Sequence, residues 1–158
     1  MILLLFLAVL STKGVPLPDM PDSKITPGVS RNLTKDEICS TKWGTDARAV
    51  TSEMKADAFT RYGLSGNEDC PADSHGRRCE VDHKISREIG GADDINNLWP
   101  QHYSGDWNAS DKDRLENWAH KQICENGMSI SDAQHLMDNW EQSYIKAFGG
   151  PPQHNGKQ

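Results

Sequence analysis

The spacing of apolar residues changes several times along the chain, and each change marks an expected element. Residues 1–10 (MILLLFLAVL) form an unbroken apolar run. It is too short for the roughly 20 residues of a membrane-spanning helix and has the length of a secretory leader's apolar segment. Residues 1–14 therefore read as a signal peptide. Residues 15–25 carry Pro16, Pro18 and Pro21 and predict an extended, mobile lead-in, because proline fixes φ and removes a backbone donor. A single domain is expected over residues 26–149, followed by a polar, disordered tail over 150–158.

Within that domain, Met54, Ala58, Phe59 and Tyr62 recur at helical spacing over residues 51–62, with Thr51 as N-cap and Gly63 as the stop. Leu115, Trp118, Ala119 and Ile123 predict a second helix over 111–125, capped by Ser110 in a box with Asp113. Ala133, Leu136, Met137, Trp140, Tyr144 and Phe148 trace one apolar stripe after Ser131 and Gln134. They predict a single last helix that ends at Gly149-Gly150 and packs into the core. Between these helices the period shortens. Residues 79–82 and 97–99 read as strands around the turn residues 90–94 (GGADD), so a hairpin leads into a helix. The expected class is α+β.

A chain of 158 residues is one domain's worth. A mean hydropathy of −0.72 excludes an integral membrane protein, and we expect a monomer with no membrane contact. Cys39, Cys70, Cys79 and Cys124 form an even set in a chain that reads as exported, and no C-x-x-C pair suggests a zinc knuckle. The expected pairing is Cys70 with Cys79, closing a short loop, and Cys39 with Cys124. Asn32-Leu33-Thr34 and Asn108-Ala109-Ser110 are sequons, of which Asn32 is the expected glycosylation site.

The net charge of −6 speaks against a protein that coats nucleic acid, because phosphate contacts need positive potential, but it allows one that visits and cleaves. Arg77, Arg78, Lys84, Arg87, Lys112, Arg114 and Lys121 cluster in sequence around the hairpin, giving that region a positive sign. Asp82-His83, Asn97, Asn108, Glu116 and His120 lie along the same stretch. Phosphodiester hydrolysis needs a base for water and a cation for the developing charge. A neutral His83 can be that base, with Asn97 holding its other ring nitrogen. Oxygen donors such as Asp82, an Asn amide or Glu116 suit Mg²⁺, whereas His120 would favour Zn²⁺. Lys84, Arg87 and Lys112 are candidate phosphate contacts.

Residues 82–91 (DHKISREIGG), 97–101 (NLWPQ) and 112–116 (KDRLE) resemble the His-Asn-His and related ββα-metal nucleases, particularly small secreted ones. The resemblance covers roughly residues 26–148. Spacing from Asn97 to Gln101 and from Asn108 to Glu116 is similar to that of Serratia-type non-specific nucleases, which implies Asn108 as a metal ligand. In place of their D-R-G-H this chain has Glu80-Val81-Asp82-His83, which leaves open whether Asp82 meets the metal directly or through water. The resemblance implies a ββα-metal hairpin and helix packed with further helices. It implies a secreted endonuclease for DNA or RNA with His83, Asn97 and Glu116 as catalytic residues. Asp82, Asn108 and His120 are the implied ligands of one divalent metal, Mg²⁺ first and Mn²⁺, Ca²⁺ or Zn²⁺ as alternatives. Two rivals are a catalytically silent binding or toxin-like module on the same fold and a metal-independent hydrolase. An inhibitor partner is not legible, nor is the choice between DNA and RNA.

Overall fold

A computed structural model describes residues 17–154; the expected signal peptide and the end of the tail lie outside the described residues. The architecture is α+β. In chain order come helices α1 (Lys35–Ser40) and α2 (Ser52–Arg61), strands β1 (Cys79–His83) and β2 (Leu98–His102), then α3 (Ala109–Asn126), α4 (Ile130–His135) and α5 (Trp140–Phe148). The strands pair antiparallel, with Cys79 opposite His102, Asp82 opposite Trp99 and His83 opposite Leu98. The expected strands thus form and extend to His83 and His102. α2 packs on this hairpin, whereas α3 gathers α1, α4 and α5.

Two apolar cores hold the layers. The larger buries Ile38 of α1, Leu115, Ala119 and Ile123 of α3, and Met137, Trp140 and Tyr144 behind them. The smaller joins Phe59 of α2 and Leu64 to the Cys70–Cys79 pair at the foot of β1. Both expected disulfides are present: Cys39–Cys124 ties α1 to α3, and Cys70–Cys79 closes the loop before β1.

Helix ends depart from expectation in ways that local hydrogen bonding explains. α3 starts two residues early because Asn108, not Ser110, is its N-cap: Asn108 accepts from Ser110 N at 3.0 Å while Asp111 accepts from Asn108 N at 3.1 Å. The last apolar stripe is not one helix. α4 is capped by Ser129, not Ser131, and gives way to a 3-10 turn over Leu136–Asn139. Asn139 leaves helical geometry (φ −143°, ψ 70°) and its side chain accepts from Gln142 N, so α5 begins afresh. A short amide that can bond its own backbone competes with helix continuation in this way. Helix α1, unforeseen, is closed by a capping box between Thr34 and Glu37.

The lead-in makes specific contacts with the domain from Asp19 onward. Asp19 accepts from Trp140 Nε1 at 3.2 Å through its carbonyl and pairs with His102 Nε2 at 2.9 Å through its carboxylate. Thr26, fully buried, donates to Leu98 O. At the other end His154 of the expected tail lies 3.3 Å from Asp111 Oδ2.

The connection from β1 to β2 turns sharply at two glycines. Gly90 has φ +94°, a left-handed value that disfavours side chains, and a Cβ on Gly91 would stand 1.8 Å from Ile85 O. Asn97 spans this connection. Its amide accepts from Ile85 N at 2.9 Å and donates to Ile85 O and Ala92 O, each at 3.0 Å.

Because Cys39–Cys124 closes a separation of 85 residues and Cys70–Cys79 one of 9, chain-entropy arguments give about 4.5 and about 2.5 kcal/mol of stabilisation. Denaturant unfolding should therefore show C39A/C124A losing more stability than C70A/C79A. Asn97→Ala should lose about 2–4 kcal/mol, since three buried backbone partners lose their amide. Circular dichroism melts would check the ranking.

Candidate functional site

The hairpin and α3 meet around one buried cation. Lys112, entirely shielded from solvent, sends its ammonium to Asp82 Oδ2 at 2.6 Å, to the carbonyl of His83 at 2.7 Å and to Glu116 Oε1. An ammonium has three donors, and all three are used. Burial opposes its charge, but Asp82 and Glu116 outweigh that and hold Lys112 protonated well above the ordinary lysine range. Glu116 is raised from the carboxylate range by burial, with the negative charge of Asp82 adding and Lys112 opposing.

His83 lies at the end of β1, beside this node and 3% exposed. Its Nε2 is 2.8 Å from Asp93 Oδ1 and its Nδ1 is 3.2 Å from the Arg48 guanidinium. Arginine can only donate, so Nδ1 carries the lone pair and Nε2 carries the proton, given to Asp93. Burial, the largest effect, pulls His83 below its ordinary pKa of 6.5; Asp82 and the Asp93 bond pull the other way, and Arg48 again lowers it. The ring is a neutral base of defined tautomer at neutral pH.

Asp93 is itself anchored. Its Oδ2 accepts from Ala49 N at 2.8 Å, and Arg87 Nε stands 3.1 Å from its Oδ1. Arg87 also binds the Asp46 carboxylate and donates to Ala47 O at 2.7 Å. The loop 46–49 is thereby pinned on both sides of Arg48.

These side chains open on a cleft of about 370 Å³ whose walls include Trp43, Arg48, Asp82, His83, Asp113 and Glu116. A larger cavity of about 590 Å³ lies between Asp73, Arg77, Tyr103, Asn108 and His154. The smaller cleft is the better candidate, because His83 and Asp82 both line it. Carboxylates line it as well: Asp113, exposed at its edge, is pushed up to about 6 by desolvation and by the charge of Asp82. Glu80, bonded to the Tyr103 hydroxyl, is pushed up to about 7 by burial and Asp82.

Several expected roles are revised by position. Asn97 holds the hairpin connection rather than the His83 ring, whose partners are Asp93 and Arg48. Asn108 is buried and spent as the cap of α3, whereas Asn32 is exposed. His120 turns its Nε2 to Ile38 O at 3.3 Å and to Cys124 Sγ at 3.6 Å. Asp82, Asn108 and His120 are therefore not gathered as a ligand set. Among the described residues no group of three His, Cys, Asp or Glu side chains stands ready to hold a metal ion. None of the expected phosphate contacts stands free in the cleft. Lys112 is internal, Arg87 is paired with Asp46 and Asp93, and Lys84 is buried against Pro27 O at 2.9 Å and Asp138 at 3.0 Å. Arg77 is paired with Asp73 and lies over the Tyr103 ring.

Sequence reasoning missed Asp93 and Arg48. Asp93 was legible only as a turn residue, and Arg48 sits in a segment without periodicity, so neither carried a local signal. No known protein family, curated protein or solved structure matches the chain.

In the metal-free protein the His83 ring should titrate below 6.5, and Arg48→Met should move that midpoint upward, because Arg48 lowers it. Histidine-resolved NMR titration would read both, and a wild-type midpoint above 6.5 would contradict the burial argument.

Proposed function

We propose that this protein is a secreted, metal-dependent nuclease of the ββα-metal class that hydrolyses phosphodiester bonds of DNA or RNA with little sequence specificity. The observation that carries the reading is the His83 ring, neutral, fixed in one tautomer by Asp93, with its basic nitrogen at the cleft beside a guanidinium. Export is supported by two disulfides, which persist in oxidising compartments. No helix among the described residues is long and apolar enough to cross a membrane.

His83 Nδ1 takes a proton from water as that water's oxygen attacks phosphorus, and Asp93 stabilises the imidazolium that forms. Lys112 holds the His83 carbonyl, so the base keeps its position as it charges. The cleft is lined mainly by polar and charged side chains, in keeping with a phosphate-directed reaction.

The donor chemistry fits Mg²⁺ better than Zn²⁺. Mg²⁺ is commonly held by one or two carboxylates, waters and substrate phosphate, without a protein cage. Asp82 and Glu116 are the residues that would hold it: both carboxylates meet at the Lys112 ammonium and both line the cleft beside His83. A bound divalent ion would neutralise charge that develops on the phosphate oxygens. Zn²⁺ would need His120, which faces elsewhere.

Plasmid DNA and single-stranded RNA incubated with the purified protein and Mg²⁺ should be cut. Chelator and His83→Ala should each abolish cutting, and Asp93→Asn should slow it by about 10²- to 10⁴-fold, the scale of general-base catalysis. Cleavage that survives chelator would select a metal-independent hydrolase. No cleavage with any divalent ion would select a silent binding module.

A further inference from the structure

We propose that Arg48 receives the scissile phosphate and opposes its charge directly across from His83. This rests on the phosphodiesterase reading above and adds to it the residue that touches the reacting group. Of the two cations that line the His83 cleft, Arg87 is committed to Asp46 and Asp93. Arg48 is exposed, and among the described residues it forms no ion pair. Its one side-chain partner is the uncharged Nδ1 of His83, at 3.2 Å. Four further N–H donors of a planar fork remain for an anion.

The loop that carries Arg48 is built to hold it there. Its neighbours on both sides are fixed, Ala47 O by Arg87 and Ala49 N by Asp93. These are the same two residues whose ion pair orients the His83 ring. Base and guanidinium are therefore set by one scaffold, and an error in either moves both. An exposed arginine flanked by anchored backbone, whose head bonds only a neutral ring nitrogen and forms no ion pair among the described residues, is arranged for an external anion rather than for stability.

In the step, Arg48 donates to a non-bridging phosphate oxygen and moves off Nδ1, which frees that nitrogen for the nucleophilic water. The water's oxygen forms a bond to phosphorus and its proton passes to His83. The bond from phosphorus to the leaving sugar oxygen breaks with its electron pair on that oxygen, which takes a proton from solvent. Charge on the equatorial oxygens grows in the transition state, so the guanidinium contributes more there than to ground-state binding.

Single-turnover cleavage of a fluorescent oligonucleotide would test this with Arg48→Ala and Arg48→Lys. We expect Arg48→Ala to lower the rate constant by about 10²- to 10³-fold, the loss typical of one oxyanion donor, with an unchanged melting curve. Arg48→Lys should recover part of it, and added methylguanidinium should rescue Arg48→Ala but not His83→Ala. A rate within threefold of wild type in Arg48→Ala, or a loss that methylguanidinium does not restore, would overturn the assignment. Inorganic phosphate observed by phosphorus NMR gives a readout without turnover: line broadening by wild type and His83→Ala should vanish with Arg48→Ala. Should wild type cut nothing yet broaden phosphate through Arg48, the nuclease reading fails and the anion site stands. Broadening that is unchanged in Arg48→Ala removes the anion site whatever the activity.

Discussion

A single buried ammonium sets the geometry on which the other features depend. Lys112 links α3 to β1 by bonding a strand carboxylate, a strand carbonyl and a carboxylate on its own next turn. Removing an ammonium from water costs several kcal/mol unless its partners are close and complete. Here they are complete, so α3 has one favourable register against the hairpin, and a slide of one turn would strand three polar groups. Helix α3 in turn is the surface on which α1, α4 and α5 assemble, with the Cys39–Cys124 bond clamping the first of them. The node belongs to folding specificity and to the site at once, because its central carbonyl is that of His83.

Several of the cations near the hairpin are committed to partners within the protein. Arg87 braces two aspartates, Lys84 ties Pro27 to the turn before α5, Arg77 and Arg114 lie over aromatic rings, and Lys112 is enclosed. A chain with net charge −6 thus brings little steering potential to an anionic polymer. What the cleft offers is local: one guanidinium, one neutral base and a surplus of oxygen donors. In the proposed nuclease, such a site would favour salt-sensitive, brief encounters over tight retention.

Much of the frame was legible in the sequence because it follows local rules. Thr51 caps α2 by its hydroxyl, the Cys70-to-Cys79 spacing suits a short loop, and the two strands flank the turn glycines Gly90-Gly91. Roles that depend on tertiary neighbours were not legible. Asn97 presents the same amide whether it serves a histidine ring or a loop backbone. Lys112 looks like any helical lysine until Asp82, 30 residues earlier, closes on it. Asp93 and Arg48 acquire meaning only through each other, across 44 residues between Ala49 and Asp93. The misplaced cap of α3 and the broken last helix share one cause, an Asn side chain competing for backbone donors near a helix end.

The glycine pair between the strands has a consequence for ancestry. At Gly91 the carbonyl of Ile85 fills the place of a side chain, so no amount of repacking nearby makes room for one. Surface, core and even the identity of the helices can drift while this backbone contact cannot. A distant relation that shares the same strand connection should therefore keep glycine eight positions beyond its histidine after overall similarity has faded, which makes this steric point a marker of descent independent of the chemistry.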